Sequence, residues 1–198
     1  MFEIENELYK RGINYLAGVD EAGRGPLAGP VFAAAVVLRN DQFIEEVTDS
    51  KKISEKRREY LFEKIKEEAV AFSIAAVDEK IIDDINIRNA TFKAMNDAVS
   101  SLSQKPDYVL IDGNAISGMT YPHECVVKGD LKCNCIGAAS ILAKVSRDRY
   151  MKKMAEEFPQ YMFEKHKGYG TKLHYEMIEK YGISPIHRRT FLKKILDK

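Results

Sequence analysis

The chain is poor in cysteine: Cys125, Cys133 and Cys135 are the only three in 198 residues. An odd count without a signal segment argues against a disulfide framework. Together with His123 these cysteines could form a zinc quartet. Cys-x-Cys is not the usual knuckle spacing, however, and Cys125 lies in an apolar, strand-like run, so reduced structural thiols are the better reading. No apolar run approaches the ~20 residues of a membrane span. Lys10 and Arg11 sit in a charged N-terminus that lacks a signal-peptide core. A soluble, cytoplasmic protein with no membrane partner is expected. Long linkers, low-complexity tracts and internal repeats are also missing. The net charge is only +1, so the overall balance does not announce a polyanion partner.

What is present is enough apolar material, 45% of residues, for one ordinary domain over 1–198 with a real core. Charge is unevenly spread. Residues 164–198 carry nine Lys/Arg against four Asp/Glu, and such asymmetry hints at a polyanionic partner, although a solvated basic face would give the same count. Tyr15–Val19 and Phe32–Leu38 are short, apolar and bounded by Gly/Pro turns, and read as buried strands. Ser54 caps a helix to about Ala69. Val70–Val77 is a third strand, and Asn86–Leu102 a second helix with Ala90, Ala94, Met95, Ala98, Val99 and Leu102 on its buried face. Strands at Tyr108–Ile111 and Glu124–Val127 follow, then a helix from about Ile136 to Glu157. Pro159–Gly170 reads as a loop. Short helices near Lys172–Tyr181, closed by Gly182, and Thr190–Asp197 end the chain. The order β-β-α-β-α-β-β-α, with a small helical tail, predicts an α/β protein: a five-stranded mixed sheet flanked by helices.

The strongest local signal is Leu16-Ala-Gly-Val-Asp-Glu-Ala-Gly-Arg-Gly-Pro-Leu-Ala-Gly-Pro30. An apolar strand runs into two carboxylates, Asp20 and Glu21, followed at once by a glycine-rich turn. Two further strands end in a carboxylate at a turn: Asp112 in Asp112-Gly-Asn114 and Asp130 in Lys128-Gly-Asp130. Singly, such an Asp is most often a turn residue. Together, strand ends gather remote residues at one site. Converging carboxylates repel one another, and a divalent cation removes that penalty. Oxygen ligands select hard ions, so Mg²⁺ or Mn²⁺ is expected, in a two-ion site suited to phosphodiester displacement. One geometric condition attaches. Neighbours on a strand point to opposite faces, so Asp20 and Glu21 share a site only if the strand bulges or ends at Asp20.

Gly23, Arg24 and Gly25 permit a nest of N–H groups for an oxyanion, without being a P-loop. Lys51 in Asp49-Ser-Lys-Lys52 is a candidate phosphate ligand, although solvated surface would explain it as well. His166-Lys-Gly-Tyr-Gly-Thr-Lys172 sets basic residues around Tyr169, as a nucleic-acid strand would require, and His187-Arg-Arg189 extends that patch. A core tyrosine with exposed lysines is the structural alternative.

Read together, these segments resemble the bacterial ribonuclease HII family over nearly the whole chain. The resemblance is carried by Gly18–Pro30, Asp49–Lys52, Ile111-Asp-Gly-Asn114, Val127-Lys-Gly-Asp130, Ala138-Ala-Ser-Ile-Leu-Ala-Lys144, Arg147-Asp-Arg149 and His166-Lys-Gly-Tyr169. It implies a ribonuclease H-like fold with a C-terminal helical, substrate-binding extension at about 159–198. It also implies metal-dependent endonucleolytic cleavage of RNA in RNA–DNA hybrids and at ribonucleotides embedded in duplex DNA, leaving 5′-phosphate and 3′-hydroxyl ends. Asp20, Glu21, Asp112 and Asp130 would be the catalytic, metal-binding carboxylates. Gly23, Arg24 and Gly25 would read the 2′-OH, Tyr169 would pack on the neighbouring deoxyribose, and Ser140 and Lys51 would contact substrate. His166 is a candidate general acid, as is a metal-bound water. A monomer is expected. Lys132-Cys-Asn-Cys-Ile-Gly137 departs from the Ser/Ala-like segment of the family. The competing readings are a non-catalytic nucleic-acid-binding module, which four acids beside a polyanion disfavour, and a small-molecule phosphotransferase, which the missing P-loop disfavours.

Overall fold

The structure, a computed structural model, describes residues 3–40, 42–47 and 53–196, the side chain of Ile195 excepted. Lys51, with the rest of Asp49–Lys52, lies outside the described residues.

Five strands form one mixed sheet in the order β3-β2-β1-β4-β5. They are β1 (Tyr15–Ala22), β2 (Val31–Arg39), β3 (Ala71–Val77), β4 (Tyr108–Asp112) and β5 (His123–Val126). β1, β2 and β3 pair antiparallel, while β4 runs parallel to β1 and β5 parallel to β4. β1 as far as Val19 and β2 as far as Leu38 are apolar because both faces of the sheet are covered there. On one face α3 (Glu79–Ser100) lays Ala90, Ala94, Met95, Ala98 and Val99 against Ala17, Val19, Ala33 and Ala35. On the other, α4 (Asn134–Glu157), α2 (Glu55–Glu68) and α1 (Glu3–Lys10) cover Leu16, Ala34, Val36 and Leu38.

α4 lies so close to β1 that position 18 admits only glycine. A Cβ there would stand 2.1 Å from the Cys135 carbonyl carbon and 2.3 Å from the Ile136 nitrogen. The first turn of α4 therefore has little room for side-chain caps, and Cys133 at the N-cap makes none. A residue from the far end of the chain serves instead. Glu5 of α1, buried, accepts from the N–H groups of Asn134 at 2.8 Å and Cys135 at 2.9 Å. Cys133 and Cys135 are buried thiols packed in the core, and burial pushes Cys133 up to about 12.

Several boundaries differ from the sequence reading. α1 was not expected: at eight residues, with Ile4 and Leu8 as its apolar pair, it is too short for a periodic signal. α3 starts at Glu79, capped by Asp78, and breaks at Asn86, whose φ is 67°. Asn86 then caps the second segment by accepting from the Asn89 N–H at 3.1 Å, so the expected start at Asn86 is an internal cap. The stretch read as a loop contains a 3-10 turn, Pro159–Tyr161, and α5 (Phe163–His166). After α6 (Lys172–Tyr181), the last expected helix is a 3-10 turn, Arg189–Leu192, followed by α7 (Lys193–Leu196).

The C-terminal segment is stitched to the β1–β2 connection. Leu27 N–H donates to Gly168 O, Gly29 N–H to Ile186 O and Arg188 N–H to Leu27 O, each at 2.8 Å. Among the described residues no helix is long and apolar enough to cross a membrane.

Candidate active site

β1 continues through Asp20 to Ala22 in regular register with β2, Asp20 opposite Ala34 and Glu21 opposite Ala33. The strand neither bulges nor ends at Asp20, so the expected condition is corrected. The ladder to β4, however, stops at Val19–Ile111. Beyond that point, among the described residues, β1 has a strand neighbour on one side only. The short Asp20, on the α4 face, and the longer Glu21 therefore both reach one cleft at the open side.

That cleft, about 440 Å³, is lined by Asp20, Glu21, Ala22, Gly23, Arg24, Gly25, Arg58, Ser140, Lys144 and Tyr169. Asp20 is only 6% exposed. Burial raises its carboxyl well above the usual range, and the charges of Glu21 and Asp112 add to this, while a hydrogen bond from the Ser140 side chain works the other way. Burial also raises Glu21. Arg24 opposes that shift and Asp112 reinforces it. Glu21 Oε1 lies 3.4 Å from Arg24 Nη1. Asp112, at the end of β4, accepts from the Gly129 N–H at 2.7 Å. That bond ties β4 to the 3-10 turn Gly129–Leu131, in which Asp130 is the next residue. Asp20, Glu21 and Asp112 thus feel one another's charge, Asp130 follows Gly129 in the adjoining turn, and neither Asp112 nor Asp130 is among the residues that line the cleft.

Among the described residues, no three His, Cys, Asp or Glu side chains stand as they are around a point that could hold a metal ion. Each acid has a protein partner: Asp20 Oδ1 accepts from the Glu21 N–H at 2.7 Å, Glu21 faces Arg24, and Asp112 faces Gly129. The donor set is nonetheless that of a hard divalent ion, all carboxylate oxygen. Its mutual repulsion in a buried setting is what such an ion relieves. The Glu21–Arg24 pair gives way at little cost, since Arg24 is 56% exposed and such a pairing is worth no more than about 1 kcal/mol.

Tyr169 is half-exposed and faces the loop: a Cβ on Gly25 would sit 3.8 Å from its Cε1. The Arg147 guanidinium lies 5.7 Å from its ring centroid. Tyr169 is therefore a cleft residue, not a core tyrosine. The basic patch is smaller than expected. Arg189 is exposed, but His187 and Arg188 are buried, at 2% and 0%. His166 does not line the cleft. It is buried, accepts at Nδ1 from the Gly168 N–H, donates from Nε2 to Tyr161 O, and is held below its ordinary pKa by burial. That removes it as a general acid.

The sequence reading missed Arg58 and Lys144, which join Arg24 as cations of the cleft. Arg58 donates to Ile53 O at 2.6 Å, and Lys144 pairs with Asp148 at 2.7 Å. Helical spacing placed Lys144 four residues after Ser140, one turn along the same face, and that signal was available. Arg58 carried none.

A mixed five-stranded sheet flanked by helices is the architecture of the ribonuclease H-like enzymes. The profile of the ribonuclease HII family matches residues 17–194. Ribonuclease HII of Caldicellulosiruptor bescii is 56% identical over 196 residues, 99% of this chain and 95% of the relative. The crystal structure of ribonuclease H2 from Pyrococcus horikoshii superposes with a TM-score of 0.77 at 29% identity, covering 89% of this chain and 93% of that one. Bst-RNase HIII in complex with Mn²⁺ shares the fold, with a TM-score of 0.66 at 16% identity over 85% of this chain and 63% of that one. The chain belongs to the ribonuclease HII family of endoribonucleases.

Proposed function

We propose that this endonuclease cleaves the RNA strand of RNA–DNA hybrids and duplex DNA at embedded ribonucleotides, in a divalent-metal-dependent reaction leaving 5′-phosphate and 3′-hydroxyl ends. The observation that carries the reading is the pair Asp20 and Glu21, which feel the charge of Asp112 and open into the cleft that also holds Gly23–Gly25 and Tyr169. Asp20, Glu21, Asp112 and Asp130 would hold two Mg²⁺ or Mn²⁺ ions. Bound there, such ions supply water activation and neutralisation of the leaving oxygen.

The chain's own residues define the substrate. Arg58 and Lys144 attract backbone phosphates into the cleft. The Gly23-Arg24-Gly25 loop offers main-chain partners to a 2′-OH, the sugar group that separates RNA from DNA. Tyr169, across from Gly25, packs on the following sugar and disfavours a second hydroxyl by contact. Ser140 orients Asp20 through its hydrogen bond. Residues 159–198 serve as the substrate-binding extension, and the enzyme acts as a monomer. Lys51 is retained as a phosphate contact on the sequence pattern alone.

The test uses a labelled duplex with one ribonucleotide and an all-DNA control, each with Mg²⁺, Mn²⁺ or a chelator. Cleavage of the first alone, only with metal, and with phosphatase-sensitive 5′ ends on the downstream product, is expected. Failure to cut with either ion, or equal cutting of both duplexes, overturns the substrate assignment. Cutting in chelator overturns the metal role.

A further inference from the structure

Arg188 is the most unusual residue outside the acidic group. It is 0% exposed, and its side chain gives all its described hydrogen bonds to the carbonyls of one loop. Nη2 donates to Gly23 O at 2.6 Å, Nη1 to Arg24 O at 3.0 Å and Pro26 O at 2.8 Å, and Nε to Gly29 O at 2.9 Å. Its main-chain N–H donates to Leu27 O, and Arg147, also buried, donates to Ala28 O and Pro30 O. Seven of the eight carbonyls from Gly23 to Pro30 thus accept from these two arginines. Asp83 of α3 anchors the next turn by accepting from the N–H groups of Arg189 and Thr190 at 2.8 and 2.9 Å.

Burying a guanidinium is costly, and an apolar side chain of similar volume usually fills such a place with less penalty. Burial and the charge of Arg147 pull Arg188 down to about 9, which still leaves it charged at neutral pH. Planarity of the peptide unit gives this arrangement a consequence. C=O and N–H of one unit point opposite ways. With the Gly23 and Arg24 carbonyls turned inward to Arg188, the N–H groups of Arg24 and Gly25 turn outward, side by side, on the loop that lines the cleft. A positive charge on the carbonyl side also polarises each amide and makes it a better donor.

We propose that Arg188 is a positioning residue for substrate recognition: by holding the Gly23 and Arg24 carbonyls it presets the Arg24 and Gly25 N–H groups as the donors that meet the ribonucleotide. The proposal rests on the nuclease reading above. The donors are fixed before substrate arrives, so ordering the loop adds no cost on binding. Arg188 does this without touching substrate.

Two measurements test it. In the free wild-type protein, backbone ¹⁵N relaxation should give Arg24 and Gly25 order parameters of about 0.85, as for rigid backbone, whereas values below about 0.6 would overturn the presetting. In the second, Arg188→Met and Arg188→Lys are compared with wild type by binding to the one-ribonucleotide and all-DNA duplexes in Ca²⁺, well below each protein's unfolding temperature. The preference for the ribonucleotide duplex should fall at least tenfold in Arg188→Met and recover partly in Arg188→Lys, which keeps the charge but not the fork. A role in stability alone would scale both affinities by the folded fraction, leave the preference unchanged, and overturn the proposal. Should Arg188→Met not fold, Arg188→Lys and the relaxation data decide. If wild type itself shows no preference, the nuclease reading fails, while the order parameters still judge the loop.

Discussion

The oxygen of Asp112 that accepts from Gly129 would survive as the amide oxygen of an asparagine. Asp112→Asn therefore removes charge without removing the tie between β4 and the Gly129 turn. Cleavage should drop by at least ~10²–10³-fold, the scale of losing one electrostatic contact to a reacting centre, with a melting temperature within about 2 °C of wild type. A variant that cuts normally would remove Asp112 from the catalytic group, and one that unfolds would make its role structural. Tyr169 gives a different kind of test. Its ring stands across from Gly25 with the Arg147 guanidinium close by, and in the proposed role it meets the sugar that follows the ribonucleotide. Tyr169→Ala should slow cleavage at an isolated ribonucleotide more than within a long RNA tract, where every neighbouring sugar already carries a hydroxyl. Equal loss on the two substrates, compared by kcat/KM, would exclude discrimination by the ring.

Among the elements, α4 and β1 form the joint on which the acidic corner depends, and Glu5 fastens it. Glu5→Ala would leave the Asn134 and Cys135 N–H groups without their acceptor in a buried place. Such orphaned donors cost about 1–3 kcal/mol, which at this chain length lowers the melting temperature by roughly 2–4 °C per kcal/mol. Glu5→Gln, keeping one acceptor oxygen, should fall between, and thermal melts of the three proteins check the order. A sequence reading had no access to this joint. β1, β2 and the helix at 55–68 were legible because apolar runs, flanking turns and the Ser54 cap are local signals. Glu5 is a lone acid in a short charged helix, and only the approach of α4 to Gly18 makes it a cap. The site divides the same way. Asp20, Glu21 and Asp112 could be read from strand ends followed by turns. The way Glu21 comes to share a cleft with Asp20 could not, because it depends on where the β1–β4 ladder stops, at Val19–Ile111. Arg188 read as surface charge because arginine in a basic tail usually is. Its burial follows from four carbonyls some 160 residues earlier that accept from its guanidinium, which no local pattern announces.

At the scale of the whole molecule, the C-terminal segment is joined to the cleft by a directional chain of buried histidines. His187 Nδ1 accepts from the Ser184 N–H at 2.8 Å, so its proton is on Nε2, which donates to His174 Nε2 at 3.0 Å. His174 then carries its proton on Nδ1 and donates to the carbonyl of Tyr169 at 3.0 Å. Each ring is neutral in this arrangement, and a second proton on either would set donor against donor. Burial and the neighbouring ring hold both His174 and His187 down to about 4, against about 6.5 in an unfolded chain. Above pH 6.5 both states are unprotonated, and the pair adds no pH dependence. Between 6.5 and 4 the unfolded chain binds protons that the folded one refuses, so stability falls as pH falls, and the loss levels off below 4. Discounted for solvent screening, the loss for the pair is about 2 kcal/mol, several degrees of melting temperature between pH 7 and 5. His187→Gln cannot take up that proton. It should be less stable than wild type at pH 7, having lost a ring from the cluster, yet lose less on acidification. Subtracting its slope from that of wild type removes the share of the carboxylates, which for the buried Asp20 and Glu21 has the opposite sign. Parallel slopes for the two proteins would mean that the histidine chain does not set the acid limit of the fold.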